Sequence, residues 1–362
     1  MALTSVVTFA LSIFLSVSGI VGLSLFWGRI YRPGWLNFII RFFLLILVNA
    51  LALAAIGIGI NRSQGFYSSW SDLVGSSQNL SAKAISYNSL LPPNTLGEST
   101  RLSNGYHLVE ETIHGGQSNV AQQVYLLLPP SAVSSLRRGK ALASHRYRVV
   151  EFLTGFPSQP IMWIKALSAH ETVARYNAAH PQREIIGVIP QVNIEGNFDL
   201  ECMNLPGNHL PAETWLTEDI HHYVQERLGL PAQRFIAAGV STGAWCAAMF
   251  AIKHPALYSG ALSIAGYYRP ALPLKDPQKL QDQMKIVYDL APMEQRLKVK
   301  VPIYMVASLG DKYSIRETTR YLAKPHPNLV ISYHQISQGG HNPRVWRDSI
   351  EPGLSWLMQK KA

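Results

Sequence analysis

The stretch GVSTG, residues 239–243, places a serine between two glycines, each one residue away. With Gly and Ser each at roughly 7% of an average chain, such a match arises by chance in about one sequence in ten of this length. The pentapeptide alone therefore decides nothing, and its flanks must. RFIAAG, 234–239, leads into it as a short apolar run of the kind that forms a buried strand. TGAWCAAMFAIKHP, 242–255, leaves it with small residues at helical spacing and ends at Pro255. A nucleophile elbow needs a buried strand, a strained turn at the serine and a helix slim enough to pack closely behind it. Phe235–Ala238 supply the strand, Gly239 and Gly243 remove side chains at the turn, and Ala244, Ala247 and Ala248 keep the helix narrow. Against an ordinary Gly-rich turn, this context favours Ser241 as a nucleophile.

Outward from the elbow, strands and helices alternate from about residue 105. GYHLVEETI and QQVYLLLPP read as two early strands, followed by RYRVVEFLTG, EIIGVIPQV, GALSIAGYY, VPIYMVASLG and NLVISYHQI. Helical spacing runs through WIKALSAHETVARYNAAH, 163–180, and TWLTEDIHHYVQERLGL, 214–230. The second puts Leu216, Ile220, Tyr223, Val224 and Leu228 on one face, with Thr214 as expected N-cap and Gly229 as stop. Such alternation implies an α/β fold with a mostly parallel sheet flanked by helices.

Only 15% of the 362 residues are charged, and the deficit is concentrated near the N-terminus. Leu3 to Trp27 and Phe42 to Ile60 carry no charged side chain. Each reaches the roughly 20 residues that span a bilayer as a helix, so two transmembrane spans are expected at about 4–27 and 42–60. Arg29, Arg32 and Arg41 lie between them, beside Tyr31 and Trp35. Basic loops favour the cytoplasmic side, which would put residues 61–362 outside the cell membrane. A cleaved signal peptide is disfavoured because MALTSVV lacks a basic start. Residues 61–104, rich in Ser, Asn, Gly and Pro, read as a linker, and 105–362 as the catalytic domain. The net charge of +10 suits an exported domain on an anionic surface. No basic run interleaved with aromatics suggests nucleic acid, and RRGK at 137–140 reads as a solvated turn.

A serine hydroxyl needs a base, and the base needs an orienting group. In this fold they follow the serine in the order acid, then histidine. Of His254, His326, His334 and His341, only His341 sits in a Gly-rich loop after the last strand, in QGGHNPRVW. Asp311 follows the preceding strand, in YMVASLGDKYS, where it could equally be an N-cap for the helix beginning near Ser314. Glu317 is the reserve acid, while Asp289 and Glu294 precede the strand. Acyl transfer also needs amides aimed at the oxyanion: that of Thr242, after the serine, and that of Phe156 in FLTGFPSQP, where Gly155 permits close approach. His221 and His222 are adjacent on a helix and point apart, so no metal and no cofactor are expected. Cys202 and Cys246, the only two cysteines, are compatible with a disulfide or with two buried thiols.

FLTGFP, FDLECMNLPGNHLPAETWLTEDI, GVSTGAWCAAMFA and GGHNPRVW together resemble the family of esterases that contains esterase D and the actinobacterial mycolyltransferases. The likeness covers about residues 105–358, and the N-terminal hairpin with GFYSSWSDLVG resembles the membrane-anchored actinobacterial members. It implies an α/β-hydrolase fold and a serine-dependent esterase or acyltransferase acting on a small-molecule or lipid ester. Two departures stand out: the mycolyltransferases are secreted without a hairpin, and they carry Glu where Asp311 stands here. The expectation is a membrane-anchored serine esterase. The alternatives are an acyltransferase to an envelope sugar or lipid, and an inactive envelope scaffold, which would have no reason to keep Ser241, Asp311 and His341 together.

Overall fold

Strands buried on both faces read as nearly unbroken apolar runs, and three of them, EIIGVIP, FIAAGV and VPIYMVAS, are buried at every position. The computed structural model describes residues 6–30, 34–64, 99–196, 198–272 and 277–360. Among these, nine strands form one sheet: β1 Ser99–Arg101, β2 His107–His114, β3 Ala121–Leu128, β4 Tyr147–Leu153, β5 Glu184–Pro190, β6 Phe235–Val240, β7 Tyr258–Ile264, β8 Val301–Ser308 and β9 Leu329–Ile336. Their order across the sheet is β1-β2-β3-β5-β4-β6-β7-β8-β9. β1, β2, β3 and β5 pair antiparallel, and everything from β5 through β4 to β9 is parallel. Helices cover both faces of this largely parallel sheet. Trp215, Trp245 and Phe250 fill the core on one side, while Trp163, Ile350 and Leu354 fill the other. This is an α/β-hydrolase fold. The ends of β4, β6, β8 and β9 deliver the loops that matter below.

The local readings differ from the structure in four places. The helix expected over 163–180 is two, Met162–Lys165 and Ala169–Ala179, because Ser168 adopts a left-handed φ of 50° that no α-helix continues through. Thr214 is not an N-cap. Helical structure starts at Ala212, passes through a π-helical turn at Trp215–Asp219 and continues as Ile220–Leu228. The carboxamide of Asn204 caps it from outside, accepting from the amides of Glu213 at 2.9 Å and Thr214 at 3.2 Å. The stop at Gly229, φ 60°, stands, and the five face residues named above are buried. Part of the segment read as linker is strand: β1 pairs with β2, Thr100 opposite Leu108. Residues 61–64 end the second N-terminal helix, 102–104 lead out of β1, and 65–98, including GFYSSWSDLVG, lie outside the described residues.

The fourth difference is at the N-terminus. The chain divides into two compact units, Met1–Asn79 and Leu80–Ala362. In the first, helices Val6–Ile30 and Trp35–Gln64 each contain a stretch long and apolar enough to cross a membrane, Val7–Gly28 and Trp35–Gly59. The second begins at Trp35 rather than near Phe42, so Arg41 is helical and its Nε donates to the Asn37 carbonyl. Arg32 lies outside the described residues. The two helices approach closely at Gly59, where an added Cβ would sit 3.0 Å from the Phe9 ring.

Glu213 locks three elements of the second unit together. Its carboxylate accepts from Lys253 Nζ at 2.7 Å, His254 Nε2 at 2.6 Å and Tyr288 Oη at 2.5 Å. Burial alone would raise this carboxyl, but hydrogen bonds from His254, Lys253 and Tyr288 outweigh it and hold Glu213 down to about 2. A carboxyl depressed in the folded state stabilises the fold above its unfolded value and loses that contribution as pH falls through the folded one. Equilibrium unfolding should therefore show on the order of 3 kcal/mol of stability, dependent on Glu213, disappearing between about pH 5 and pH 2. Glu213→Gln should be less stable at pH 7 and show a flatter profile across that window; an unchanged profile would remove Glu213 from this role.

Candidate active site

Ser241 stands at the turn between β6 and helix Thr242–Lys253 with φ 56° and ψ −122°, a conformation L-residues rarely adopt. The surrounding glycines explain how the backbone tolerates it. A Cβ on Gly239 would lie 1.8 Å from the Gly243 carbonyl oxygen, and one on Gly243 would lie 2.2 Å from the Leu153 carbonyl oxygen. The helix thus packs backbone against backbone onto the end of β4. Gly155, two residues past β4, lies against the serine itself, since a Cβ there would be 2.8 Å from Ser241 Cβ.

The histidine arrives from the loop after β9. His341 Nε2 is 2.8 Å from Ser241 Oγ, and His341 Nδ1 is 2.5 Å from Asp311 Oδ2. An ionised carboxylate only accepts, so Nδ1 carries the hydrogen and Nε2 of the neutral ring accepts from the serine hydroxyl. Trp346 meets the imidazole edge-on, centroids 4.8 Å apart, and helps fix its plane. The two loops are stitched together as well. Ser308 Oγ donates to the Gly339 carbonyl at 2.5 Å, and the Leu309 amide donates to the Ile336 carbonyl at 2.9 Å. Asp311 is buried, whereas the His341 side chain is 38% exposed, open enough to exchange protons with a bound group.

Asp311 makes a separate contact with each carboxylate oxygen. Oδ1 accepts from the Ser314 amide at 3.1 Å and caps helix Lys312–Leu322, while Oδ2 faces the histidine. Glu317 is turned away, bound by Arg269, Arg316 and Arg320. Asp289 caps helix Leu290–Gln295, and Glu294 joins His326. His254 is held by Glu213, and His334 is exposed on β9. The amides of Phe156 and Thr242 flank Ser241, one on the Gly155 loop and one at the first turn of the elbow helix; among the described residues neither donates to a protein acceptor.

Beneath the elbow lies a group of residues that sequence reasoning missed. Thr242 Oγ1 donates to Asp199 Oδ2 at 3.0 Å, and Asp199 Oδ1 accepts from the Glu201 amide at 2.9 Å. Glu201 in turn accepts from the Tyr267 hydroxyl and the Ala271 amide. Burial pushes the Glu201 carboxyl up to about 8, with the Asp199 charge adding to the rise, and burial raises Asp199 too. Two acids one residue apart in FDLE, just before Cys202, were the available signal. Cys202 and Cys246 are joined in a disulfide, Cα atoms 5.7 Å apart, which ties this loop to the second turn of the elbow helix. Among the described residues no group of His, Cys, Asp and Glu could hold a metal ion.

With this geometry the fold finds its counterparts. No family model and no curated protein matches the sequence. Solved structures do. An S-formylglutathione hydrolase from Agrobacterium tumefaciens is similar with a TM-score of 0.59 at 12% identity, covering 74% of this chain and 100% of its own. A ferulic acid esterase is similar at 0.56 and 17%, covering 70% and 97%. The fluorophosphonate-binding serine hydrolase FphF of Staphylococcus aureus follows at 0.54 and 14%, covering 73% and 100%. At these identities the likeness establishes the α/β-hydrolase fold.

The glycine contacts differ in closeness, and that difference is measurable. Gly243→Ala drives a methyl into backbone, which cannot move, and should destabilise the fold by about 3 kcal/mol or more. Gly155→Ala meets Ser241 Cβ at 2.8 Å and the Val240 carbonyl oxygen at 3.1 Å, longer contacts than the 2.2 Å at Gly243, and should cost less. Thermal unfolding of both variants checks the order; equal losses would mean that the elbow packing is looser than its distances imply.

Proposed function

We propose that this chain is a membrane-anchored serine hydrolase of carboxylic esters. The observation that carries the reading is the unbroken line from Asp311 through His341 to Ser241, at 2.5 and 2.8 Å, on a strained elbow. In this reading Ser241 Oγ attacks the ester carbonyl as His341 Nε2 takes its proton. Asp311 holds the imidazole in the tautomer that can accept and stabilises the charged ring that forms. The amides of Phe156 and Thr242 receive the oxyanion, each such donor being worth about 3 kcal/mol of barrier. The protonated His341 then hands its proton to the leaving alkoxide. Water, activated by the same histidine, releases the acid and restores the serine. No metal or dissociable cofactor enters these steps. The esterases and hydrolases among the structural neighbours support the ester chemistry.

The anchor in this proposal is the pair of apolar helices, with Arg29 and Arg32, which fall between the spans Val7–Gly28 and Trp35–Gly59, on the cytoplasmic side and residues 61–362 outside. A C-terminal alkaline phosphatase fusion should be active and a green fluorescent fusion dark; the opposite pattern would reverse the orientation.

A fluorophosphonate probe should label Ser241, and Ser241→Ala and His341→Ala should each lower hydrolysis of a short p-nitrophenyl ester by about 10⁴-fold or more. The double variant should be hardly worse than either single one, because the groups act as a unit. Asp311→Asn should lose less than Ser241→Ala. Full activity in Ser241→Ala would end the hydrolase reading. Added alcohols test the mycolyltransferase-like alternative: acyl transfer to an envelope sugar or lipid hydroxyl in preference to water would make the enzyme an acyltransferase.

A further inference from the structure

A cavity of about 540 Å³ opens beside helix Lys312–Leu322, and none of Ser241, Asp311 and His341 lines it. That volume falls in the range of roughly 300–1,000 Å³ occupied by small-molecule sites. Its wall is mostly carbon: Leu290, Pro270, Pro325, Pro327 and the edges of Tyr268 and Tyr321. The two tyrosines stack on each other, centroids 4.6 Å apart, and their hydroxyls are already engaged, with Ser263 and Glu294. They therefore present hydrocarbon rather than hydrogen-bonding groups.

The rim is cationic, with Arg269, Lys285, Arg320 and Lys324. Three carboxylates of the lining, Asp289, Glu294 and Glu317, offset part of that charge, and Lys285 also lies 3.6 Å from Asp282, but each lining acid is held by hydrogen bonds within the fold. Glu294 is taken up by His326 and Tyr321, and Asp289 accepts from the Ala291 amide as a helix cap. Glu317, buried at the centre, is shared by three guanidinium groups: Arg269 at 3.2 Å, Arg316 at 3.1 Å and Arg320 at 2.8 Å. Burial by itself would raise Glu317, yet the Arg316 hydrogen bond and the charges of Arg269 and Arg320 prevail and keep its carboxyl below the ordinary range. One carboxylate cannot satisfy the fifteen or so N–H donors of three arginines. Arg269 and Arg320 keep more than half of their side-chain surface open to solvent, and Lys324 has no carboxylate partner among the described residues.

We propose that this cavity is a second binding site, taking a small organic anion, a carboxylate or phosphate on an apolar body. The anionic head would sit among Arg269, Arg320 and Lys324, while the apolar body fills the space over Leu290 and the prolines. Glu317 acts as the peg that holds two of the guanidiniums at the rim, so the site is built before a ligand arrives. The site does not depend on the chemistry at Ser241.

Calorimetry on the full-length protein with 2-naphthoate and 2-naphthyl phosphate tests it, with neutral 2-naphthol as the comparison. One equivalent of at least one of the two anions should bind, weaken as salt is added, and bind at least tenfold tighter than 2-naphthol. Lys285→Glu with Lys324→Glu should weaken the anions at least tenfold, whereas Lys140→Glu, in a distant turn, should leave them unchanged. Should the double variant fail to fold, Lys324→Gln alone should still weaken binding about threefold. Absence of anion binding, equal affinity for 2-naphthol, or binding indifferent to the rim substitutions would each overturn the proposal.

Discussion

Everything at the centre of this molecule depends on backbone touching backbone where β4, β6 and the elbow helix meet. Gly239, Gly243 and Gly155 occupy the three places where a side chain would stand between them. Their absence of volume brings the Gly155 loop against Ser241 and the helix N-terminus beneath it. Packed interiors do not deform continuously, so this contact sets the positions of the serine and of the amides around it together. The strained φ of Ser241 is held by the same contact and by its amide, which donates to the Ile264 carbonyl at 3.0 Å.

From that fixed point the rest is a matter of bringing two loops to it. β8 and β9 lie side by side in parallel register, Ser308 opposite Ile336, so the loops that follow them leave from the same height. Bonds between those loops, from Ser308 to Gly339 and from Leu309 to Ile336, join the acid and the histidine before either reaches the serine. The disulfide and the Asp199–Thr242 hydrogen bond brace the opposite side of the elbow. Rigid strands supply the precision, and short loops carry Ser241, Asp311 and His341.

Much of this was legible in the chain because its signals are local. A buried strand, a Gly-x-Ser-x-Gly turn and an Ala-rich helix lie within about twenty residues, and the β8 and β9 loops announce themselves by Gly, Asp and His after apolar runs. What stayed hidden is what depends on distant partners. Asn204 caps a helix that begins eight residues later, so Thr214 took the blame for a start it does not make. Ser168 breaks a helix through its backbone angle, which no residue type announces. β1 is three residues of strand in a Ser-rich segment, and only the register with β2 identifies it. The buried pair Asp199 and Glu201 carries no periodic signature. Its role appears only when Thr242 and Tyr267 are brought to it.

Asp311 uses both carboxylate oxygens, one for a helix end and one for an imidazole. Its side chain is short enough to reach its own backbone neighbourhood and the ring at once. A glutamate at the same position, one methylene longer, would overshoot the Ser314 amide if it kept the ring, or lose the ring if it kept the cap. Exchanging this Asp for a Glu that still meets the imidazole is therefore not a single conservative step. It requires a new acid on another turn and a separate replacement for the cap, with an intermediate sequence that has both or neither. The identity of this one acid is thus tied to how its helix begins, and a lineage can change the two only as a pair.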